Sequence, residues 1–223
     1  TWGASPALHQ PIGQGKYRTY NWVEYARIVE EIAAGLHAVG MHHGDIIGLA
    51  SETRAEFYLA DIGVMTNGSI AAAVYTSLPP ADQVKTLKGC DPRLVFIENP
   101  KTLRVLESAG LSDLEIPRVL LDGSAEGAMT LDELRARGRA AVEADPGLLE
   151  RLVDAVRPHA YAIVYLTSGA TGEPKMGLVT HHSIVTNCEC GPPVLPVNEE
   201  DRTIAFLPSA HITQRMVMQQ LMI

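Results

Sequence analysis

The densest group of residues that could do chemistry is the stretch Thr167–Lys175, which reads T-S-G-A-T-G-E-P-K. It places three hydroxyl side chains, two glycines and a lysine within nine residues. Glycines let backbone N–H groups approach a ligand closely, hydroxyls donate hydrogen bonds, and a lysine adds a mobile positive charge. These features suit the phosphates of a nucleotide, although on composition alone a polar surface turn is an equally good interpretation.

Two common nucleotide-binding motifs do not match this stretch. A Walker A loop needs a lysine directly after a glycine and then a serine or threonine, whereas Lys175 comes three residues after Gly172 and precedes Met176. The dinucleotide-binding pattern needs a G-x-G opening, which the residues from Ser168 to Gly172 lack. The spacing therefore excludes a P-loop NTPase and a dinucleotide-binding turn.

The elements that must position the stretch alternate along the chain. The apolar run Tyr161–Tyr165 predicts a buried strand directly before it. Upstream, the pattern predicts a strand over Asp45–Ala50, a helix over Thr53–Thr66 and a strand over Ser69–Tyr75. Units of strand, helix and strand at these lengths form right-handed crossovers in parallel sheets. The predicted fold class is therefore α/β, with parallel-rich sheets and helices on both faces.

The same pattern divides the chain into three parts. Residues 15–122 read as βαβ repeats, residues 123–157 as a surface helical excursion with a capping box at Thr130, and residues 158–223 as the region of the stretch. Within the last part, a strand is predicted over Asp201–Leu207 and a helix from Ile212 onward. The chain begins at Thr1 and ends within an apolar pattern that has no cap, so a fragment of a longer polypeptide is expected.

Composition restricts the partners. Of 223 residues 46% are hydrophobic, and the net charge of -8 comes from dispersed acids, which argues against a nucleic-acid surface. There is no apolar run of about 20 residues that could cross a bilayer, and no signal peptide is expected. Three cysteines form no disulfide framework, and Cys188 and Cys190 lack the spacing of a zinc site. A cytoplasmic protein without a transmembrane segment is expected.

Two segments carry a resemblance to a known family. Thr167–Lys175 followed by Thr180-His181 is similar to the T-S-G-T-T-G-x-P-K-G signature of the adenylate-forming superfamily, which includes acyl-CoA synthetases, luciferases and adenylation domains of peptide synthetases. Leu207–Ile212 followed by Gln214-Arg215 resembles the segment that long-chain acyl-CoA synthetases write as L-P-L-A-H-x-x-E-R. The resemblance implies the N-terminal portion of the large domain of such an enzyme. Departures are Ala170 for threonine, Met176-Gly177 for Gly-Val, and Gln214 for glutamate.

The resemblance implies a reaction and roles for residues. The family activates a carboxylate with ATP to an acyl-adenylate and pyrophosphate, then passes the acyl group to coenzyme A. Lys175 and His211 are implied as catalytic residues, and Thr167 as the residue near Mg²⁺. For His211, capping of the following helix is an equal alternative, and Arg215 is expected to be a structural ion-pair partner. The implied phosphate contacts come from Thr167, Ser168, Gly169, Ala170, Thr171, Gly172 and Lys175.

The resemblance also implies what the chain works with. ATP, Mg²⁺, a fatty acid and coenzyme A are the expected small molecules, while homodimer formation and peripheral membrane attachment are left open. The family's C-terminal domain, which carries the lysine needed for adenylation, has no counterpart here, so the chain is expected to be inactive alone. The alternative is a non-catalytic nucleotide-binding or interaction module that retains the loop.

Overall fold

The computed structural model describes residues 3–167, 175–191, 194, 198 and 200–215. Helices and strands alternate over most of this length, and the apolar periodicity that predicted them is present in their buried faces. In chain order they are β1 (Pro6–Gly13), β2 (Lys16–Asn21), α1 (Trp22–Ala38), β3 (Ile46–Ala50), α2 (Ala55–Thr66), β4 (Ile70–Ala73), α3 (Pro80–Cys90), β5 (Leu94–Ile97), α4 (Pro100–Ser108), β6 (Arg118–Leu120), β7 (Met129–Thr130), α5 (Leu131–Ala144), α6 (Leu148–Ala155), β8 (Tyr161–Thr167), β9 (Lys175–Thr180) and α7 (His181–Cys190).

The centre of the fold is a seven-stranded sheet with the order β7-β6-β5-β3-β4-β8-β9. Neighbouring strands are parallel except for β8 and β9, which form an antiparallel hairpin. The predicted α/β class with a mostly parallel sheet is therefore confirmed. Strands β1 and β2 form a separate antiparallel pair.

Helices cover both faces of the sheet, as predicted. Successive side chains of a strand point to opposite faces, and β5 shows this directly. Leu94 and Phe96 pack in the cluster that contains α1, α2 and α5, whereas Val95 and Ile97 pack in the cluster that contains α3 and α4. Because both faces are buried, the strand is a continuous apolar run, which is typical of parallel sheets.

The segment 123–157 differs from the predicted surface excursion. Its capping box is present, but β7 extends the sheet and α5 packs closely on α1. A Cβ built on Gly138 would lie 1.9 Å from the Glu31 carbonyl oxygen, and the Glu31 carboxylate accepts bonds from Arg135 at 2.8 Å and Arg139 at 3.1 Å. The contact between α5 and α1 is made by a glycine and by the ion pairs of Glu31, so the apolar periodicity of the sequence did not predict it.

The prediction of a strand over Asp201–Leu207 is wrong. Residues 201–206 have no regular secondary structure, and none of the described strands pairs with them. The side chains of Ile204 and Phe206 are 81% and 69% exposed, so the apolar residues that suggested a strand pack against no layer of the described structure. A strand needs a neighbour for its backbone bonds, and a pattern of side chains cannot supply one.

Candidate functional site

The two ends of the stretch Thr167–Lys175 meet at one point of the sheet. Thr167 is the last residue of β8, Lys175 is the first residue of β9, and the antiparallel register makes them Cα partners. The exposed Lys175 side chain is therefore held beside the carboxyl end of β8. The predicted phosphate contacts Ser168, Gly169, Ala170, Thr171 and Gly172 lie outside the described residues.

This point belongs to the edge of the sheet where ligands usually bind. Strand β8 runs parallel to β4, with Ala72 opposite Val164, and β4 is parallel to β3. The carboxyl ends of these strands therefore share one edge. In open α/β sheets, ligands bind outside the carboxyl ends of parallel strands. The location suits a binding site, independently of the sequence signature.

Burial on both faces anchors β8. Ile163 packs with Met65 of α2 and Ile184 of α7, while Val164 packs with Cys90 at the end of α3. The predicted strand Tyr161–Tyr165 is confirmed and extends to Thr167. The stretch thus follows a strand whose central residues are buried in the core.

Met176 and Gly177, near the start of β9, each lie close to one side chain of a neighbouring element. Gly177 is paired with Tyr165, and a Cβ on Gly177 would lie 2.4 Å from the Tyr165 ring. The Met176 thioether lies 3.8 Å from the Cys90 thiol, whose pKa is raised by burial. The departures from the family signature at positions 176 and 177 are therefore accommodated by contacts of this chain.

His181 anchors the other end of the hairpin. Its backbone N–H donates to the carbonyl of Ala160 at 3.0 Å, and the side chain of Thr180 caps α7 by accepting from the Ser183 N–H. The His181 Nε2 atom is buried without a hydrogen-bond partner among the described atoms. Burial lowers the pKa of His181, and its electrostatic interaction with His43 lowers it further. These contacts give His181 a structural place at the junction of β9 and α7.

His211 lies at the same sheet edge, where it begins a helical turn. Its Nδ1 atom accepts from the Thr213 N–H at 3.1 Å, which is the predicted capping arrangement. Its ring also meets the Tyr75 ring edge-on, with centroids 6.4 Å apart. Tyr75 follows β4, the sheet neighbour of β8. The structure therefore brings His211 toward the end of β8, while its catalytic role stays a prediction.

The ion-pair prediction for Arg215 is confirmed, and its partner is Asp61 of α2. Sequence reasoning missed Asp61 and also missed Tyr58 and Thr53, which contact Gln214 and Ser209. A signal was available, because Asp61 is the one charged residue between Phe57 and Met65, a part of α2 that is otherwise apolar.

Within residues 3–167, 175–191 and 200–215, no group of three or more His, Cys, Asp or Glu side chains is arranged to hold a metal ion. The proximity of Thr167 to Mg²⁺ stays a prediction. Across the same residues, every helix is too short or too polar to cross a bilayer.

Comparison with known proteins gives one family. The model of the AMP-binding enzyme family matches residues 1–223. The chain is 26% identical over 214 residues to the long-chain-fatty-acid–CoA ligase FadD15 of Mycobacterium bovis, covering 94% of this chain and 35% of the ligase. It is 25% identical over 202 residues to 4-coumarate–CoA ligase 1 of Petroselinum crispum, covering 89% of this chain and 35% of that enzyme.

A solved structure shows the same fold. The ATP-bound MatB of Rhodopseudomonas palustris superimposes with a TM-score of 0.75 at 16% identity, covering 97% of this chain and 40% of MatB. At this identity the likeness concerns the fold alone. The chain spans about a third of the length of the curated relatives it matches, since it covers 35% of FadD15.

Proposed function

Because the chain belongs to the AMP-binding enzyme family, we propose that it forms the phosphate-binding wall of an ATP-dependent acid–CoA ligase. The observation that supports this most is the pairing of Thr167 with Lys175 at the carboxyl end of β8. A lysine and a glycine-rich backbone at that edge can stabilise the negative charge of a nucleotide's phosphates.

In the proposed reaction, a carboxylate oxygen attacks the α-phosphorus of ATP and releases pyrophosphate, and the coenzyme A thiol then displaces AMP from the acyl-adenylate. The hydroxyls of Thr167, Ser168 and Thr171 and the backbone from Gly169 to Gly172 would hold the β- and γ-phosphates. Lys175 would neutralise charge as pyrophosphate leaves. Thr167 would help to hold Mg²⁺ through its hydroxyl oxygen, and the ion would supply positive charge against the phosphates.

We propose a long-chain fatty acid as the acid. The name of the relative FadD15 supports this choice, and so does the resemblance of Leu207–Arg215 to the long-chain synthetase segment. The chain is also similar to a 4-coumarate–CoA ligase, so an aromatic acid is the substrate with which the fatty acid should be compared. The complete reaction is proposed for a polypeptide that also supplies the remaining length found in these relatives. Steady pyrophosphate release by residues 1–223 with ATP, Mg²⁺ and palmitate would contradict the proposal that they form only one wall.

The site proposal is tested by comparing ligands that differ in their phosphates. Calorimetric titration with Mg²⁺ present should show binding of ATP and of pyrophosphate, with AMP weaker by about tenfold or more. The reason is that the stretch is proposed to hold the phosphates that AMP lacks, and charged hydrogen bonds contribute roughly 1.5–3 kcal/mol each. Equal affinity for AMP and ATP would mean that the β- and γ-phosphates are not held by this stretch, and would contradict the proposal.

A further inference from the structure

The segment from Leu207 to Arg215 is held by polar contacts at both ends, one to Thr53 just before α2 and the other to α2 itself. At the first end, the Thr53 hydroxyl donates to the Leu207 carbonyl at 3.1 Å and accepts from the Ser209 N–H at 3.0 Å. At the other end, the Gln214 side-chain amide donates to the Tyr58 hydroxyl at 3.1 Å. These bonds join residues about 155 positions apart, so they fix tertiary position instead of local shape.

The strongest of these contacts is the ion pair between Asp61 and Arg215. Both side chains are 0% exposed, and Arg215 Nε donates to Asp61 Oδ2 at 3.2 Å while its Nη2 donates to Oδ1. Two parallel bonds fix the direction of the guanidinium as well as its position. A buried ion pair is weak evidence for added stability, since an apolar pair of similar volume often does as well. Its directional geometry is the property that an apolar pair would not reproduce.

The Arg215 backbone closes the turn that carries His211. The Arg215 N–H donates to the His211 carbonyl at 3.2 Å, and the His211 Nδ1 accepts from Thr213 at 3.1 Å. The imidazole then meets the Tyr75 ring edge-on, at an interplanar angle of 76°. Because Nδ1 is an acceptor, the neutral ring carries its proton on Nε2.

We propose that Asp61 is a positioning residue for His211, acting through Arg215. The buried pair fixes the last residue of the turn, the turn fixes the imidazole against Tyr75, and the imidazole is thereby held in one tautomer at the carboxyl edge of the sheet. The use of that imidazole in catalysis rests on the proposed function, whereas its positioning does not.

The test follows the His211 ring by NMR of the chain labelled with ¹⁵N-histidine, without any nucleotide. In the unsubstituted chain, long-range ¹H–¹⁵N spectra should show His211 as the Nε2–H tautomer, with a cross-relaxation peak to Tyr75. The signal is assigned with His211→Asn. Asp61→Asn should average the tautomers and remove the Tyr75 peak.

Asp61→Asn leaves the Arg215 cation buried without a carboxylate partner, and this could unfold the chain as a whole. A second variant is therefore needed in which no buried charge remains. Asp61→Leu combined with Arg215→Met removes both charges and should give the same loss of the single tautomer while the remaining spectrum stays dispersed. Glu31→Gln is the matched control, since Glu31 is another buried carboxylate held by arginines but on α1, and its His211 signals should not change. An unchanged His211 tautomer and Tyr75 peak in the folded double variant would overturn the proposal. Because no nucleotide is present, this result is independent of the ATP titrations.

Discussion

At the scale of single residues, the burial of His181 makes the free energy of unfolding depend on pH. Its imidazole has no hydrogen-bond partner for Nε2 among the described atoms, and burial followed by the influence of His43 lowers its pKa. A histidine in the unfolded chain has a pKa of about 6.5. Above that value both states are neutral and the shift costs nothing. As the pH falls through 6.5, the unfolded state takes up a proton that the folded state resists, so unfolding becomes more favourable.

We therefore expect the free energy of unfolding to be lower at pH 5.5 than at pH 7.5, with His181 as one source of the difference. Urea denaturation at the two pH values measures it. His181→Gln should reduce the difference, because glutamine does not titrate. His182→Gln, the exposed neighbour, is the control and should leave the difference as it is. Equal pH dependence in the two variants would contradict this assignment.

At the scale of elements, the β8–β9 hairpin depends on a glycine facing an aromatic ring. Gly177 is the register partner of Tyr165, and an added Cβ would lie 2.4 Å from that ring. Contacts under about 3 Å force side chains or backbone to move, and overpacking of this kind costs typically 1–3 kcal/mol. The hairpin that holds Lys175 therefore has little tolerance at this position.

Gly177→Ala should lower the free energy of unfolding by about 1–3 kcal/mol, measured by urea denaturation. A decrease in the free energy of unfolding is informative, because alanine in place of glycine in a strand otherwise favours folding by roughly 0.5–1 kcal/mol. Adding Tyr165→Leu to Gly177→Ala should recover part of the loss by opening space. Leu178→Thr, at an adjacent half-exposed position, should change stability by less than about 0.5 kcal/mol. A Gly177→Ala chain as stable as the parent would exclude the clash.

The same elements show what the sequence could reveal. Apolar periodicity predicted the central strands and helices because each buries a regular face, as β5 does with Leu94 to Ile97. It failed over residues 201–206, since a strand also needs a paired neighbour, and it missed the antiparallel direction of β9. The signature located Thr167 and Lys175, but no local pattern could reveal that Arg215 pairs with Asp61, 154 residues away.

At the scale of the whole molecule, the described parts of the candidate site converge on the edge formed by the carboxyl ends of the parallel strands. The ends of the stretch lie at the carboxyl end of β8, and His211 meets Tyr75 just beyond the end of β4. The chain carries a net charge of -8, so the average field of the protein repels an anion such as ATP. Local positive charge at Lys175 must therefore contribute strongly if this edge binds phosphates.

Titration of ATP against the chain and two lysine variants tests that claim most directly. Lys175 is the exposed first residue of β9, and Lys16 is the exposed first residue of β2, so Lys16→Ala is a matched control. We predict that Lys175→Ala weakens ATP binding by about tenfold or more, consistent with a charged hydrogen bond of roughly 1.5–3 kcal/mol, while Lys16→Ala leaves it unchanged. ATP binding of equal strength in the parent chain and both variants, or no ATP binding by the parent chain, would contradict the account.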